Sequence, residues 1–250
     1  MRTAVTGGTG FVGGHLVEAL SALGHESVVL ARGTDRRPLA HEVLQLPGVT
    51  RVTASIDDKP ALVRAFTGCD GVAHCAGINR QTGAQTYERV HVRGTVNVVA
   101  AAQETGVQRI VDVGFLRARP ACGSPYHESK WEGEKAVRAC GLQWTVLKPG
   151  MIFGRGDHML DHLSHALFTF PFFLGVGARP VRPLAVEDVV KVMVAALVEG
   201  RLAGQTVPVL GPTELSFDDA ATAFDEVSIR ARLPEPGPFR LSDLGARRRR

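Results

Sequence analysis

Residues Val5-Thr6-Gly7-Gly8-Thr9-Gly10-Phe11-Val12-Gly13 join a short apolar run, Thr3 to Thr6, to a segment of helical spacing, Phe11 to Leu23. Leu16, Leu20 and Leu23 share one face of that segment. Glycines at such a junction allow three things. Gly7 permits a tight turn, Gly10 lets backbone approach a diphosphate at the helix N-terminus, and Gly13 lets helix and strand lie close. Alone, the string can be an ordinary glycine turn. Between a strand and a helix, it points to a dinucleotide site built from Gly7, Thr9, Gly10, Phe11, Val12 and Gly13.

Strand-like and helix-like runs keep alternating. Glu26 to Ala31, Val49 to Ala54 and Gly71 to Cys75 read as strands two to four. Helices are predicted over Pro60 to Phe66, capped by Asp57 or Asp58, and over Thr86 to Glu104, stopped at Gly106. Gln108 to Val113, Pro125 to Cys140 and Leu142 to Leu147 continue the order as strand, helix, strand. This succession requires a parallel sheet with helices on both faces. The expected fold class is therefore α/β, a Rossmann-type doubly wound parallel sheet with a small C-terminal substrate lobe. The sheet domain is expected over residues 1–150 and the lobe over 151–233, its late elements returning to the sheet. A loose basic tail is expected over 234–250. Within the lobe, Asp157 to Phe170 and Val186 to Val198 have helical patterns, and Thr206 to Leu210 is strand-like.

With 44% hydrophobic residues among 250, the chain can bury such a core. The net charge of +4 equals that of the terminal run Arg247 to Arg250, so the body is electrically balanced. That pattern gives no nucleic-acid footprint, and the tail reads as a solvated end. Cys69, Cys75, Cys122 and Cys140 form no CxxC pair, which argues against a zinc knuckle or a redox dithiol. No signal peptide precedes the first strand, and a cytoplasmic setting is expected. The longest apolar stretch, Ala166 to Ala178, is broken by Pro171, Gly175 and Gly177 and is too short for a transmembrane segment.

Five ordered motifs follow the glycine loop: His74-Cys75-Ala76-Gly77, His91-Val92-Arg93-Gly94-Thr95-Val96-Asn97-Val98, Tyr126-His127-Glu128-Ser129-Lys130, Lys148-Pro149-Gly150-Met151-Ile152-Phe153-Gly154 and Pro183-Leu184-Ala185-Val186-Glu187-Asp188-Val189. Together they resemble the extended and atypical short-chain dehydrogenase/reductase superfamily over residues 1 to 215. The nearest flavour is the NAD-dependent epimerase/dehydratase-like group, on a branch similar to the complex I accessory subunit. The resemblance implies cofactor contacts from Ser55 and Ile56 after the third strand, Ala76 and Gly77 after the fourth, Lys130, and Pro149, Met151 and Ile152 after the sixth.

At the end of the second strand an acid usually takes the ribose hydroxyls of NAD. This chain has Ala31 and Arg32 there, with Arg36 and Arg37 behind. A guanidinium forks onto a 2′-phosphate, so NADP is expected, while Asp35 keeps NAD open. Tyr126 and Lys130 lie four apart and share a helix face. The resemblance implies Tyr126 as proton donor or acceptor, its phenol lowered by the Lys130 ammonium. The family's hydroxyl at the end of the fifth strand is replaced by Gly114, and its helix-four Asn by His91; Ser124, His91 or a water would have to supply the missing donor.

The expected activity is NAD(P)-dependent oxidoreductase or epimerase/dehydratase-like hydride transfer with a small carbonyl or alcohol substrate. The alternative is a non-catalytic NAD(P)-binding sensor or assembly subunit, which the lost hydroxyl favours. His158, His162 and His165 share a helical face that can bind zinc but more often marks a polar face over a cleft, so no metal is expected. Phe168, Phe170, Phe172 and Phe173 read as lobe core, with a greasy substrate pocket as the other reading. A homo-oligomer is compatible with the sequence.

Overall fold

The computed structural model describes residues 1–32, 38–157, 180–216 and 219–220. The chain divides into two compact units, Met1–Asp157 with Arg182–Glu214, and His158–Val181 with Leu215–Arg250. The predicted helix from Asp157 onward, the three histidines, the phenylalanine cluster, Asp35, Arg36, Arg37 and the arginine tail lie outside the described residues, Asp157 itself excepted.

In the first unit the elements run β1 (Arg2–Thr6), α1 (Phe11–Ala22), β2 (Glu26–Ala31), α2 (Pro38–Val43), β3 (Val49–Thr53), α3 (Lys59–Phe66) and β4 (Gly71–His74). They continue with a π-helical turn (Glu88–Arg93), α4 (Gly94–Glu104), β5 (Arg109–Val113), α5 (Pro125–Arg138), β6 (Gln143–Pro149) and β7 (Ile152–Phe153). After β8 (Pro180–Val181) of the second unit come β9 (Leu184–Ala185), α6 (Val186–Leu197) and β10 (Gln205–Val209). Seven strands form a parallel sheet in the order β10-β6-β5-β4-β1-β2-β3, and β7 pairs with β9 beside it. In the second unit, β8 pairs antiparallel with β11 (Leu215–Ser216). Among the described residues no helix is long and apolar enough to cross a membrane.

The core follows from strand alternation. Ala4, Val28, Val72, Ile110 and Val146 face one way, into a cluster with Leu62 and Phe66 of α3 and Val98 of α4. Val5, Val29, Ala73, Val111 and Leu147 face the other way, onto Leu16 and Leu20 of α1 and Met193 and Leu197 of α6. The sheet is therefore covered on both sides, and its open places are the strand ends. Asp58 caps α3 by accepting from the Ala61 amide at 3.0 Å, whereas Asp57 turns to Arg89 at 2.9 Å.

The segment from Thr86, read as one long helix, begins instead with a π-helical turn. There the His91 carbonyl accepts the Thr95 hydroxyl at 2.7 Å and lies directly on Gly133 of α5. A β-carbon at Gly133 would drive into that carbonyl. Such turns often mark functional sites, and this one carries His91. Gly133→Ala should therefore destabilise the protein by about 1–3 kcal/mol, the usual range for overpacking a tight contact. Chemical denaturation of the two forms measures it.

Candidate functional site

The loop after β1 is held by one carbonyl. Gly7 has φ +68, a left-handed conformation that suits glycine. Its carbonyl accepts the Gly10 amide at 2.8 Å and lies against Gly13 closely enough to leave no room for a β-carbon there. A β-carbon on Gly7 would come within 2.9 Å of Ala76, and one on Gly10 within 2.9 Å of the Gly7 carbonyl. Gly10 is thus required by the loop's own packing, so a branched residue there would disturb the turn whether or not a ligand is present. Helix α1 opens at Gly10 with no side-chain cap and no acid in its first turn. Its leading amides are thereby left for an anionic group, and the loop fits a dinucleotide diphosphate.

The expected residues gather where the parallel strands end, around the crevice between β1 and β4 where strand order reverses. Thr9 is buried in the loop, Phe11 meets the His15 ring edge-on, and Val12 is half-buried. Arg32 is exposed directly after β2. Ser55 donates to Asp57 at 3.1 Å, and the Ile56 carbonyl accepts from Asn97 at 3.0 Å. Gly77 is close to both Lys130 and His91, since a β-carbon there would lie 3.3 Å from Lys130 Nζ and 3.7 Å from His91 Nε2. The Pro149 carbonyl accepts from Leu116 at 3.0 Å, the Met151 carbonyl from Leu184 at 2.9 Å, and Ile152 pairs with Leu184.

Tyr126 and Lys130 stand on α5, which Ser124 caps by accepting from the His127 amide at 3.4 Å. Lys130 Nζ donates to the Val113 carbonyl at 3.1 Å. The Tyr126 hydroxyl has no hydrogen-bond partner among the described residues. Its ring sits between two stacked pairs, Tyr87 with His91 and Phe115 with His127, and meets all four rings edge-on at 5.3–5.7 Å. Burial pushes its phenol up to about 12, and Tyr87 adds to the rise. This corrects the expectation of a phenol lowered by Lys130. Enclosure by rings outweighs the ammonium, which is turned to a backbone carbonyl.

Behind the pair is a small polar cavity lined by His74, His91, Thr95, Asp112, Lys130 and Glu134. Its hydrogen bonds fix two histidine tautomers. The Ile78 amide donates to His91 Nε2 at 3.1 Å, so Nδ1 carries the proton and donates to Ser129 Oγ at 2.9 Å. Thr95 spends its own hydrogen on the His91 carbonyl, so it accepts from His74 Nε2 at 2.9 Å, and Thr6 donates to His74 Nδ1 at 2.7 Å. Both rings are neutral, lowered to about 3 by burial and then by Lys130. With both nitrogens engaged, His91 is not the missing donor. Burial pushes Asp112 up to about 7; Lys130 opposes the rise and Glu134 adds to it.

Gly114 faces Glu134. A β-carbon there would lie 2.5 Å from Glu134 Oε1 and 3.1 Å from its Cδ. Glu134 is wholly buried, paired with Arg138 and Lys148 at 3.2 Å each, and accepts from the Phe115 amide at 3.3 Å. At the end of β5 the side chain that meets Tyr126 is Phe115. Sequence reasoning passed over Glu134, although its place four residues after Lys130 puts it on the same helix face. Among the described residues no group of three or more His, Cys, Asp or Glu could hold a metal.

The chain belongs to the family described as NAD(P)H-binding, which it matches over residues 7–161. It is 32% identical over 225 residues to an uncharacterized protein of Mycobacterium tuberculosis, covering 89% of this chain but only 23% of that protein's length. A ceramide reductase of Caulobacter vibrioides is 32% identical over 248 residues, 94% of this chain and 74% of the relative. The mouse mitochondrial NADH dehydrogenase (ubiquinone) 1 alpha subcomplex subunit 9 is 28% identical over 241 residues, 94% of this chain and 63% of the relative. Among solved structures, a double mutant of the dTDP-glucose 4,6-dehydratase of Streptomyces venezuelae with NAD bound superposes with a TM-score of 0.77 at 25% identity, covering 90% of this chain and 80% of that one. The fold is that of the short-chain dehydrogenase/reductase epimerases and dehydratases, and the cofactor is a nicotinamide dinucleotide.

The geometry at β5 makes an expected outcome specific. Gly114→Ser should cost about 1–3 kcal/mol of stability, because its β-carbon meets a buried, ion-paired carboxylate. On a Glu134→Ala background the added cost should shrink, with a coupling of about 0.5–3 kcal/mol. A double-mutant cycle by chemical denaturation measures the coupling, and strict additivity would refute the contact.

Proposed function

We propose that the chain is an NADP-preferring oxidoreductase that reduces a carbonyl substrate, with Tyr126 as the proton donor. The observation that carries this reading is the Tyr126 hydroxyl, without a partner among the described residues and one helical turn from a Lys130 whose ammonium lies beside Gly77 at the loop crevice. A bound nicotinamide would supply the hydride. The chain's own residues do the rest. The Gly7 turn and the head of α1 receive the diphosphate, and Arg32 receives the 2′-phosphate. Lys130 sits where the ribose would pass, alongside Ala76 and Gly77. Ser55 and Ile56 would border the adenine, and Pro149, Met151 and Ile152 the nicotinamide end.

A phenol pushed up to about 12 stays protonated at neutral pH. It is a poor base for drawing a proton from an alcohol, yet an acid strong enough for a developing alkoxide. This favours reduction over oxidation. The reductase name of the Caulobacter relative supports the same reading. A second reading, nucleotide binding without turnover, is favoured by Phe115 standing beside Tyr126 where a hydroxyl would give the substrate oxygen a second donor.

Two outcomes follow from the first reading. Tyr126→Phe should lower ketone reduction about 10²–10⁴-fold, the usual reach of a general acid, while cofactor affinity stays close to the parent's. Reduced-cofactor absorbance and a separate binding titration check the two halves, and unchanged turnover would remove Tyr126 from the mechanism. NADP should bind more tightly than NAD, and Arg32→Ala should narrow the gap by about 1.5–3 kcal/mol, one to two decades in the ratio of dissociation constants. A wild type that prefers NAD would overturn the role given to Arg32.

A further inference from the structure

The surroundings of Tyr126 differ sharply on its two sides. Toward the interior lie Lys130, Asp112 and Glu134 around the polar cavity. Toward the surface the ring is bracketed by half-buried Tyr87, Phe115 and His127. These rings are fixed. The Tyr87 hydroxyl donates to the Asn79 carbonyl at 2.9 Å, and its amide donates to Gln81 at 2.9 Å. Phe115 stacks on His127 at 5.2 Å, and its amide is committed to Glu134. Neither the backbone nor the side chain at position 115 is therefore free to donate to a substrate oxygen.

We infer that Phe115, with Tyr87 and His127, forms an uncharged aromatic rim around Tyr126 that selects carbonyl substrates carrying an apolar group beside the reacting carbon. This deepens the oxidoreductase reading and rests on it. A ring edge or face gives an aryl or hydrocarbon group contact area that water-exposed polar groups would lose. A substrate bearing hydroxyls or a carboxylate at that point would set them against ring faces and edges that pair with them poorly, a mismatch that apolar pockets turn into about tenfold to a hundredfold discrimination. The rim stays neutral because burial, then Arg117 and Arg119, hold His127 below the usual histidine range. Those two exposed arginines are the groups that would instead draw an anionic substrate.

Three small ketones separate these cases: acetophenone, hydroxyacetone, and benzoylformate, which adds a carboxylate to the aryl ketone. With the full chain and NADPH, kcat/KM for acetophenone should exceed that for hydroxyacetone by about tenfold to a hundredfold, the scale on which apolar pockets discriminate. Benzoylformate should be poorer than acetophenone. Phe115→Ser should narrow the acetophenone preference about tenfold, and Phe115→Leu should keep most of it, which guards against a merely misfolded serine variant. Ligand-observed NMR with NADP⁺ present reads binding of the same probes without chemistry. Preference for hydroxyacetone or benzoylformate, an unchanged ratio in folded Phe115→Ser, or absence of acetophenone binding would each overturn the rim. Turnover of acetophenone by Tyr126→Phe at the parent rate would instead sink the proton-donor role, with ring selection still read from binding.

Discussion

The carbonyl of Gly7 governs where everything else in this site can be. It is presented by a left-handed residue, accepts the amide of Gly10 at the cap of α1, and lies against Gly13 one turn further on. The same glycine rests on Ala76, so the ends of β1 and β4 and the head of α1 meet within one layer of backbone contact. No side chain larger than hydrogen fits at these approaches without moving backbone, which is far harder to displace than a side-chain tip. From this point the chain reaches Gly77, Gly77 reaches Lys130, and Lys130 fixes the face of α5 that carries Tyr126. The chemistry of α5 is thereby set by the packing of a turn more than a hundred residues earlier in the sequence.

A second constraint, the buried Glu134, works from beneath. An unpaired carboxylate in this position would be strongly unfavourable, and its partners are what make it tolerable. Arg138 and Lys148 neutralise it, both lying over the Trp131 ring at 4.4 and 5.3 Å, and Lys148 also donates to the Ala118 carbonyl at 2.7 Å. In such an arrangement, removing one partner costs more than the pair contributes, since the remaining charge stays buried. Glu134 also dictates local sequence. It occupies the space a β-carbon at 114 would need, and it holds the amide of 115 so that the Phe115 ring turns to Tyr126.

Much of the frame is legible in the sequence, for identifiable reasons. The β-α alternation, a cap at Asp57 or Asp58 and the glycine stop at Gly106 are local signals; the structure takes Asp58 of the two and ends α4 just before Gly106. The short helix α2 was missed because Pro38 to Val43 offers under two turns of pattern. Position 114 was misread for a different reason. Which way a residue faces just beyond a strand depends on the turn that follows, and here a glutamate twenty residues later sets that turn. Glu134 itself looked like one more charge on a polar helix, Lys135 and Glu132 around it being exposed partners of each other. The phenol of Tyr126 was expected to fall because spacing reveals the ammonium, whereas the four enclosing rings come from three separate segments.

The contrast across Tyr126 follows from these two constraints acting together. Ionisable groups crowd behind it, yet their hydrogen bonds run inward: Lys130 to Val113, His91 to Ser129, His74 between Thr6 and Thr95. The neutral histidines and the raised Asp112 keep net charge in that cavity low, which is what a poorly solvated site demands. In front, stacked rings supply apolar area, and the Tyr126 hydroxyl, without a hydrogen-bond partner among the described residues, is left to meet a substrate oxygen. A hydroxyl at position 115 would add a donor but open the stack over His127 and expose the Tyr126 ring further to water. The loss of the second donor and the retention of a protonated tyrosine are therefore two sides of one packing choice.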